Sequence, residues 1–265
     1  MRILFLADIV GKTARKEVIA HLGDLRRRLQ LDWVVANGEN VSGGIGLTPK
    51  NALQLHQAGV DVLTSGNHIW KHKEINEFLE QTDWLLRPAN YPPDTPGRGS
   101  GMYESGGQSL AVINLQGRTF MEALDCPFRC ADEILARLPK HTPVLVDFHA
   151  EATSEKKAML FYLAGRVSAL IGTHTHVQTA DAQILDGHTG YISDAGMCGP
   201  VRSIIGMDPE TVVSRFVNKL PQRFVPADGD TMLQGLVLDL DPASGRAEQV
   251  QGWSMTTEPN QRKQG

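Results

Sequence analysis

Cysteine is scarce: the chain has three, Cys126, Cys130 and Cys198, and no Cys-x-x-Cys pair. So small and odd a set excludes a disulfide-stapled fold, and with no Cys or His cluster beside Cys126 and Cys130 it argues against a zinc site there. A reduced, cytoplasmic setting is expected. Excess positive charge is also missing, since 26 Lys and Arg face 30 Asp and Glu for a formal charge of −4. Long nucleic acid is usually held on a basic face, so that partner class is not expected. A small anionic substrate remains compatible where a bound cation supplies the positive charge locally. No apolar stretch is long enough for a membrane helix. The first seven residues begin like a secretion signal, but Asp8 interrupts the run too early. There is no internal repeat. With 41% hydrophobic and 21% charged residues the composition is ordinary for a globular chain. One domain over residues 1–256 is expected, followed by a polar tail at 257–265.

What is present is an alternation of short apolar runs and helical patterns. Residues 2–7 read as a strand covered on both faces. Over residues 13–30, Val18, Ile19, Leu22, Leu25 and Leu29 share one helical face, and Arg26, Arg27 and Arg28 read as a solvated helix end rather than a phosphate patch. Strands follow at 33–36 and 60–64, with a helix opened by Thr48-Pro49 between them. The glycines at 43, 44 and 46 do not have P-loop spacing. A helix is expected at 72–80, a strand at 84–86, and a long surface loop or lid over the Pro-, Gly- and Ser-rich residues 91–107. Further strands are expected at 109–115, 143–146, 168–171, 183–185, 191–193 and 231–240, with helices at 130–138, 154–163 and after Asp208-Pro209. Early β-α alternation implies parallel pairing, and the strand-rich second half implies antiparallel additions. An α/β fold of two mixed sheets packed together, with helices outside, satisfies both.

The chemistry-bearing residues gather where strands end: Asp8; Glu39 and Asn40; Asn67 and His68; His149; His174 and His176. Extended backbone directs side chains i and i+2 to one face, so His174 and His176 are expected to present two imidazoles together. Gly172 lets a neighbour approach that strand closely. Taken singly, Asp8 reads as a helix cap, Asn67 as a turn residue and His149 equally as a buried structural histidine. Five of the nine histidines fall in helices or polar connections, and the other four all follow predicted strands. Parallel sheets bind ligands beyond their carboxyl ends, and imidazole is the commonest metal ligand, so jointly the metal reading is the stronger one.

Asp8, Gly66-Asn67-His68, the lone His149 and Gly172-Thr173-His174-Thr175-His176 resemble the motifs of the calcineurin-like metallophosphoesterases. Asn37-Gly38-Glu39-Asn40, the run from Asn114 to Thr119, the run from Asp147 to Ser154 and the run from Gly172 to Asp181 are similar to the bacterial YmdB-like subfamily. The resemblance spans nearly the whole chain and implies a four-layer αββα sandwich with a dinuclear metal site at the carboxyl ends of the strands. Three positions depart from the broad superfamily: Val10 stands where a histidine is usual, Glu39 replaces a bridging aspartate, and Ile69 follows Gly-Asn-His where an acid is common. Asn40 is expected to take the place of the missing histidine.

Carried over by position, the resemblance assigns one metal to Asp8, Glu39, Asn40 and His176, and a second to Glu39, Asn67, His149 and His174, with Glu39 as the bridge. The mixed imidazole, carboxylate and amide set suits two divalent ions of iron or manganese, with zinc also possible. The implied activity is hydrolysis of cyclic nucleotides such as 2′,3′-cyclic AMP by a hydroxide held between ions about 3.5–4 Å apart. His68 is the expected general acid, or else a hydrogen-bonding partner of a neighbouring carboxylate. Arg118, Gln178 and Asn90 are candidate substrate contacts. A phosphomonoesterase and a metal- and nucleotide-binding regulatory protein with negligible turnover are the alternatives. The expected partner is a small anionic phosphoester, with no long nucleic acid and no membrane, and a homo-oligomer is compatible.

Overall fold

In the computed structural model, which describes residues 1–257, two sheets lie face to face with helices on their outer sides. The strands, numbered in chain order, are β1 (Arg2–Leu6), β2 (Asp8–Ile9), β3 (Trp33–Asn37), β4 (Val62–Thr64), β5 (Ser100–Ser105), β6 (Gln108–Gln116), β7 (Val144–His149), β8 (Ala169–Thr173), β9 (Gln183–Leu185), β10 (Thr189–Ile192), β11 (Met197–Pro200), β12 (Thr231–Leu240) and β13 (Ala247–Thr257). The helices are α1 (Gly11–Arg28), α2 (Pro49–Gln57), α3 (Ile75–Gln81), α4 (Pro127–Leu135), α5 (Thr153–Leu163) and α6 (Pro209–Asn218). One sheet runs β2-β11-β12-β1-β3-β4, with β13 also paired to β12, and the other runs β5-β6-β7-β8-β10-β9. Parallel pairs form the middle of the second sheet and, in the first, the β1-β3-β4 flank and the β2-β11 edge, and antiparallel pairs complete both. This is the αββα sandwich of two mixed sheets.

Strand alternation builds the layers. Ile3, Phe5, Trp33 and Val35 point inward to meet Leu110, Val112, Leu145 and Ile171 of the facing sheet. Their neighbours Leu4, Leu6, Val34 and Ala36 point outward onto Ala14, Val18, Leu22, Ala52 and Leu55 of α1 and α2. On the far side, Ile113, Val146, Phe148 and Leu170 meet Ala131, Met159, Leu160 and Leu163 of α4 and α5. Each fully buried Val, Leu, Ile, Phe or Met among them is worth roughly 1.5–3 kcal/mol, so near-continuous apolar runs select this double-faced packing over an exposed sheet.

The arginine run of α1 has structural partners. Arg26 reaches Asp61 at 2.5 Å and the Gly59 carbonyl at 2.9 Å, and Arg27 and Arg28 lie beside Asp24.

Four expectations are corrected. The stretch 91–107 is not loop throughout: Ser100–Ser105 pairs antiparallel with β6 across Gly106-Gly107, both at positive φ, a glycine hairpin turn. Residues 84–86 do not form a strand, making only isolated bridges from Leu85 to Leu63 and from Leu86 to Arg98. The helix expected at 130–138 starts earlier, with Pro127 in its first turn. The third expected helix begins at Ile75, after a single 3₁₀ turn at Ile69–Lys71. Of the tail expected at 257–265, Thr257 closes β13 opposite Thr231, and the remainder lies outside the described residues. Among the described residues, no helix is long and apolar enough to cross a membrane.

Candidate dinuclear metal centre

The carboxyl ends of the parallel strands of both sheets meet at one edge, and a buried polar clasp joins them there. Asp147, on β7, accepts hydrogen bonds from Asn37 Nδ2 (3.0 Å) and Thr64 Oγ1 (2.5 Å) of the first sheet and from Thr173 Oγ1 (2.7 Å) of β8. Asn114 Nδ2 donates to the Ser65 carbonyl, and Ser65 N–H donates back to Asn114 Oδ1. All of these residues are buried. Burial pushes the Asp147 carboxyl up to about 6, against the pull of His149 and its hydroxyl donors.

Seven candidate ligands sit on this clasp. Glu39 is central: Oε1 lies 3.1 Å from His149 Nε2, 3.2 Å from His68 Nδ1 and 3.2 Å from Asn40 Nδ2. On one side, Asp8 Oδ1 lies 3.6 Å from His176 Nε2 and 3.4 Å from Asn40 Nδ2, which is 3.2 Å from His176 Nε2. On the other, His149 Nε2 lies 3.2 Å from Asn67 Oδ1 and 3.0 Å from His174 Nδ1. One donor atom from each of Glu39, His149 and His174 falls within 4.8 Å of the other two, close enough for a single ion. Gly66 makes room for this crowding, because a Cβ there would sit 2.2 Å from the His149 ring and 2.5 Å from Glu39 Oε2.

Each imidazole is oriented from behind. Thr173 Oγ1 already donates to Asp147, so it accepts from His149 Nδ1–H at 2.9 Å and leaves Nε2 unprotonated toward Glu39 in the neutral ring. His176 Nδ1 donates to the Ile205 carbonyl at 3.0 Å, which likewise turns Nε2 toward Asp8. His174 Nε2 lies 3.1 Å from the Glu151 carboxylate, leaving Nδ1 for the cluster.

The backbone reaches these positions by a route that strand spacing did not foretell. β8 ends at Thr173, and His174 (φ 101°) and His176 (φ 63°) both adopt left-handed conformations that cost non-glycine residues energy. The expected extended presentation is therefore replaced by a kinked turn, pinned by Asp194. That carboxylate accepts from Thr175 N–H at 3.0 Å and is paired at 2.9 Å with the buried Lys156 ammonium. His174 N–H donates to Asp8 Oδ2, so the turn also reaches across to the first sheet. Gly172 permits the close approach of the chain just after β10, since a Cβ there would lie 1.8 Å from the Ser193 carbonyl oxygen.

Asp8 does not cap α1, whose first residue follows Val10 and has no side-chain cap. Val10 itself turns away to pack with Met207 and Val212. His68 lies in a turn rather than an extended segment, with its Nδ1 2.9 Å from Asn40 Oδ1 and its backbone N–H on Glu39 Oε2.

The charges within the site support one another. Among the described residues, the ion-pair partners of buried Asp8 and Glu39 are all histidines. Burial alone would push these carboxyls up, but His176 beside Asp8 and His149 beside Glu39 hold both below their ordinary values. Burial would likewise push His149 and His176 down, yet Glu39 and Asp8 lift each to about 9. His174, held down first by partial burial and then by the charged His149 beside it, falls to about 3. The two imidazolium charges thus balance the two buried carboxylates. A set of two carboxylates, two amides and three oriented imidazoles, calling for positive charge, fits a pair of divalent metals. The Asn40 amide can offer its oxygen to a metal by a half-turn that exchanges O and N.

A cavity of about 920 Å³ opens beside these groups, lined by Glu39, Asn40, His68, His174 and His176 on one side and by Ile205, Met207, Phe216 and Phe224 on the other. Arg118, Gln178 and Asn90 do not line it. Asn90 spends its amide on the backbone of Gln116 and Asp125, and Gln178 Nε2 donates to the carbonyls of Ala195, Gly235 and Trp253. Arg118 is exposed, with its N–H on Glu155. The residues that sequence reasoning passed over are Asp147, Glu151, Thr173, Lys156 and Asp194. Asp147 and Glu151 carried a signal, because both bracket His149 within one polar-ended strand.

A family profile described as YmdB-like protein matches residues 4–252. The chain belongs to that family. It is 49% identical over 252 residues to a 2′,3′-cyclic-nucleotide 2′-phosphodiesterase of Bacillus subtilis, covering 95% of this chain and 96% of that one. A Thermus thermophilus crystal structure, described as a hypothetical protein, matches at TM-score 0.92 and 43% identity over 98% of this chain and 100% of its own. A Mycoplasma pneumoniae structure described as a novel phosphatase matches at TM-score 0.91 and 31% identity over 98% and 95%. The family has both phosphodiesterase and phosphatase names attached to this fold.

Proposed function

We propose that this chain is a dinuclear-metal phosphodiesterase that opens cyclic nucleotides of the 2′,3′-cyclic AMP kind. The observation that carries the reading is the meeting of Asp8, Glu39, Asn40, Asn67, His149, His174 and His176, drawn from five separate segments, at one edge of the sandwich. The Bacillus subtilis relative, by its name, acts on that substrate class. Asp8, Glu39, Asn40 and His176 would hold one ion, and Glu39, Asn67, His149 and His174 the other, with Glu39 shared. The absence of thiolates and the presence of amide oxygens favour manganese or iron. Two such ions, when bound, supply a positive clamp for the phosphate and acidify water.

The remaining work falls to the chain. Thr173, the Ile205 carbonyl and Glu151 keep the three imidazoles aimed. His68 lines the cavity with its Nδ1 engaged by Asn40 and Glu39, so Nε2 is the atom that delivers a proton to the departing ribose oxygen. A diester leaves as a basic alkoxide, and this protonation is the step that needs a donor.

The test pairs metal analysis of the purified protein with turnover of 2′,3′-cyclic AMP and of p-nitrophenyl phosphate. We expect about two divalent ions per chain and preference for the cyclic diester. Glu39→Gln should lower turnover by more than about 100-fold, the scale expected when metal positioning is lost. Preference for the monoester would make the chain a phosphomonoesterase. Metal-loaded protein that cleaves neither would leave only the binding role.

A further inference from the structure

We propose that the segment from Ile204 to Phe224 is the nucleobase wall of the site, with the Phe216 ring as its stacking platform. This rests on the phosphodiesterase reading of the metal centre. Val212 is buried against Val10 and Met207 and anchors α6. Phe216 lies one turn further along the same helix face, yet it is 68% exposed and lines the cavity that also contains the candidate metal ligands. A large aromatic left open at the mouth of a phosphate site is a surface on which a base can stack. The cavity volume of about 920 Å³ lies within the range of small-molecule sites.

The wall is tied to a candidate metal ligand. Ile205, at φ 47°, accepts the His176 Nδ1–H through its carbonyl, so the residue that orients a ligand also begins the apolar face. α6 then stops at Lys219, which turns left-handed at φ 58°. Phe224 returns to the cavity with the Arg215 guanidinium 4.7 Å from its ring centre, and the Lys219 ammonium lies 5.6 Å from that of Phe216. A nucleotide whose phosphate meets the Glu39 end would place its base among Ile205, Phe216 and Phe224. This wall is mostly apolar, so recognition is by stacking rather than by reading base edges. The enzyme should therefore tolerate all four bases and favour purines for their larger faces.

The test compares 2′,3′-cyclic AMP with the 2′,3′-cyclic phosphate of 1-O-methylribose, which has the same reacting phosphate and no base. Phe216→Ala, at an exposed position, should lower kcat/KM for the nucleotide by about tenfold or more, the usual scale of one lost base stack. The abasic substrate should be unaffected, and Phe216→Trp should restore the nucleotide. Equal losses on both substrates, or no loss on either, would overturn the proposal. A second readout is independent of catalysis: with metal-free protein and adenosine, saturation-transfer NMR should mark adenine H2 and H8 in the wild type and not in Phe216→Ala. If the wild type cleaves neither substrate, the hydrolase reading fails, and this NMR contrast alone then upholds or refutes the platform.

Discussion

Protons on His149 and His176 must leave before a cation can take their place. Burial disfavours the charged rings, but Glu39 and Asp8 outweigh it and raise both to about 9. A histidine raised above its unfolded value of about 6.5 stabilises the metal-free fold fully below that pH, and the contribution fades as pH rises through about 9. Asp147, raised to about 6, acts in the same direction at lower pH. Metal-free protein should therefore lose stability between neutral pH and about 9.5, while metal affinity rises over the same window because fewer protons are displaced. Calorimetric titration with Mn²⁺ at pH 7.5, in buffers of different ionisation enthalpy, should show at least two protons released per pair of ions. His174, held near 3, should release none. Zero net release would contradict the assignment of His149 and His176 as ligands. Placing these histidines beyond strand ends was possible from the sequence because apolar runs stop just before them. Their left-handed backbone was not, because it is imposed by Asp194 and Asp8 from distant segments.

At the scale of elements, the turn after β8 depends on one buried ion pair. Lys156 lies on α5, Asp194 follows β10, and both side chains are 2% exposed. Asp194 also accepts from the N–H groups of Thr175 and Gly196. Lys156→Ala would leave a buried carboxylate without its counter-charge, which costs about 3–5 kcal/mol. The urea midpoint should fall accordingly, and with the turn loosened the protein should hold fewer than two ions at sub-saturating Mn²⁺. An unfolding free energy within about 1 kcal/mol of wild type would show that Asp194 finds another partner. A pairing of this kind is invisible in the sequence, since an isolated lysine in a helix reads as solvated. The strands β5 and β13 were missed for a related reason. Both are polar edge strands whose residues are mostly exposed or half-buried, so their pairing comes from the neighbouring strand's free backbone groups rather than from apolar alternation. The interior strands were readable because they are buried on both faces.

For the whole molecule, the metals would tie together two sheets that are separate in sequence and topology. Asp8, Glu39 and Asn40 come from the first sheet and its connections, His149 and the 174–176 turn from the second. The αββα arrangement itself was legible from apolar periodicity and the family resemblance, because one chain's alternation must satisfy a shared core and two helical layers. The closure energy at the metal edge was not, since it depends on charges meeting across the sheets. Without cations that edge rests on the Asp147 and Asn114 clasp and on the two imidazolium contacts. Ions that bind only the closed sandwich stabilise it by mass action, each by about 2.7 kcal/mol at a concentration 100 times Kd. At about 2–4 °C per kcal/mol for a chain somewhat smaller than this one, Mn²⁺ at that excess should raise Tm by roughly 5–10 °C for each ion bound, and a chelator should reverse the shift. Glu39→Gln removes the shared carboxylate, so its Tm should respond far less to Mn²⁺. An equal rise in the variant would mean that the ion stabilises the protein from some other site, and the two-sheet bridge would have to be abandoned.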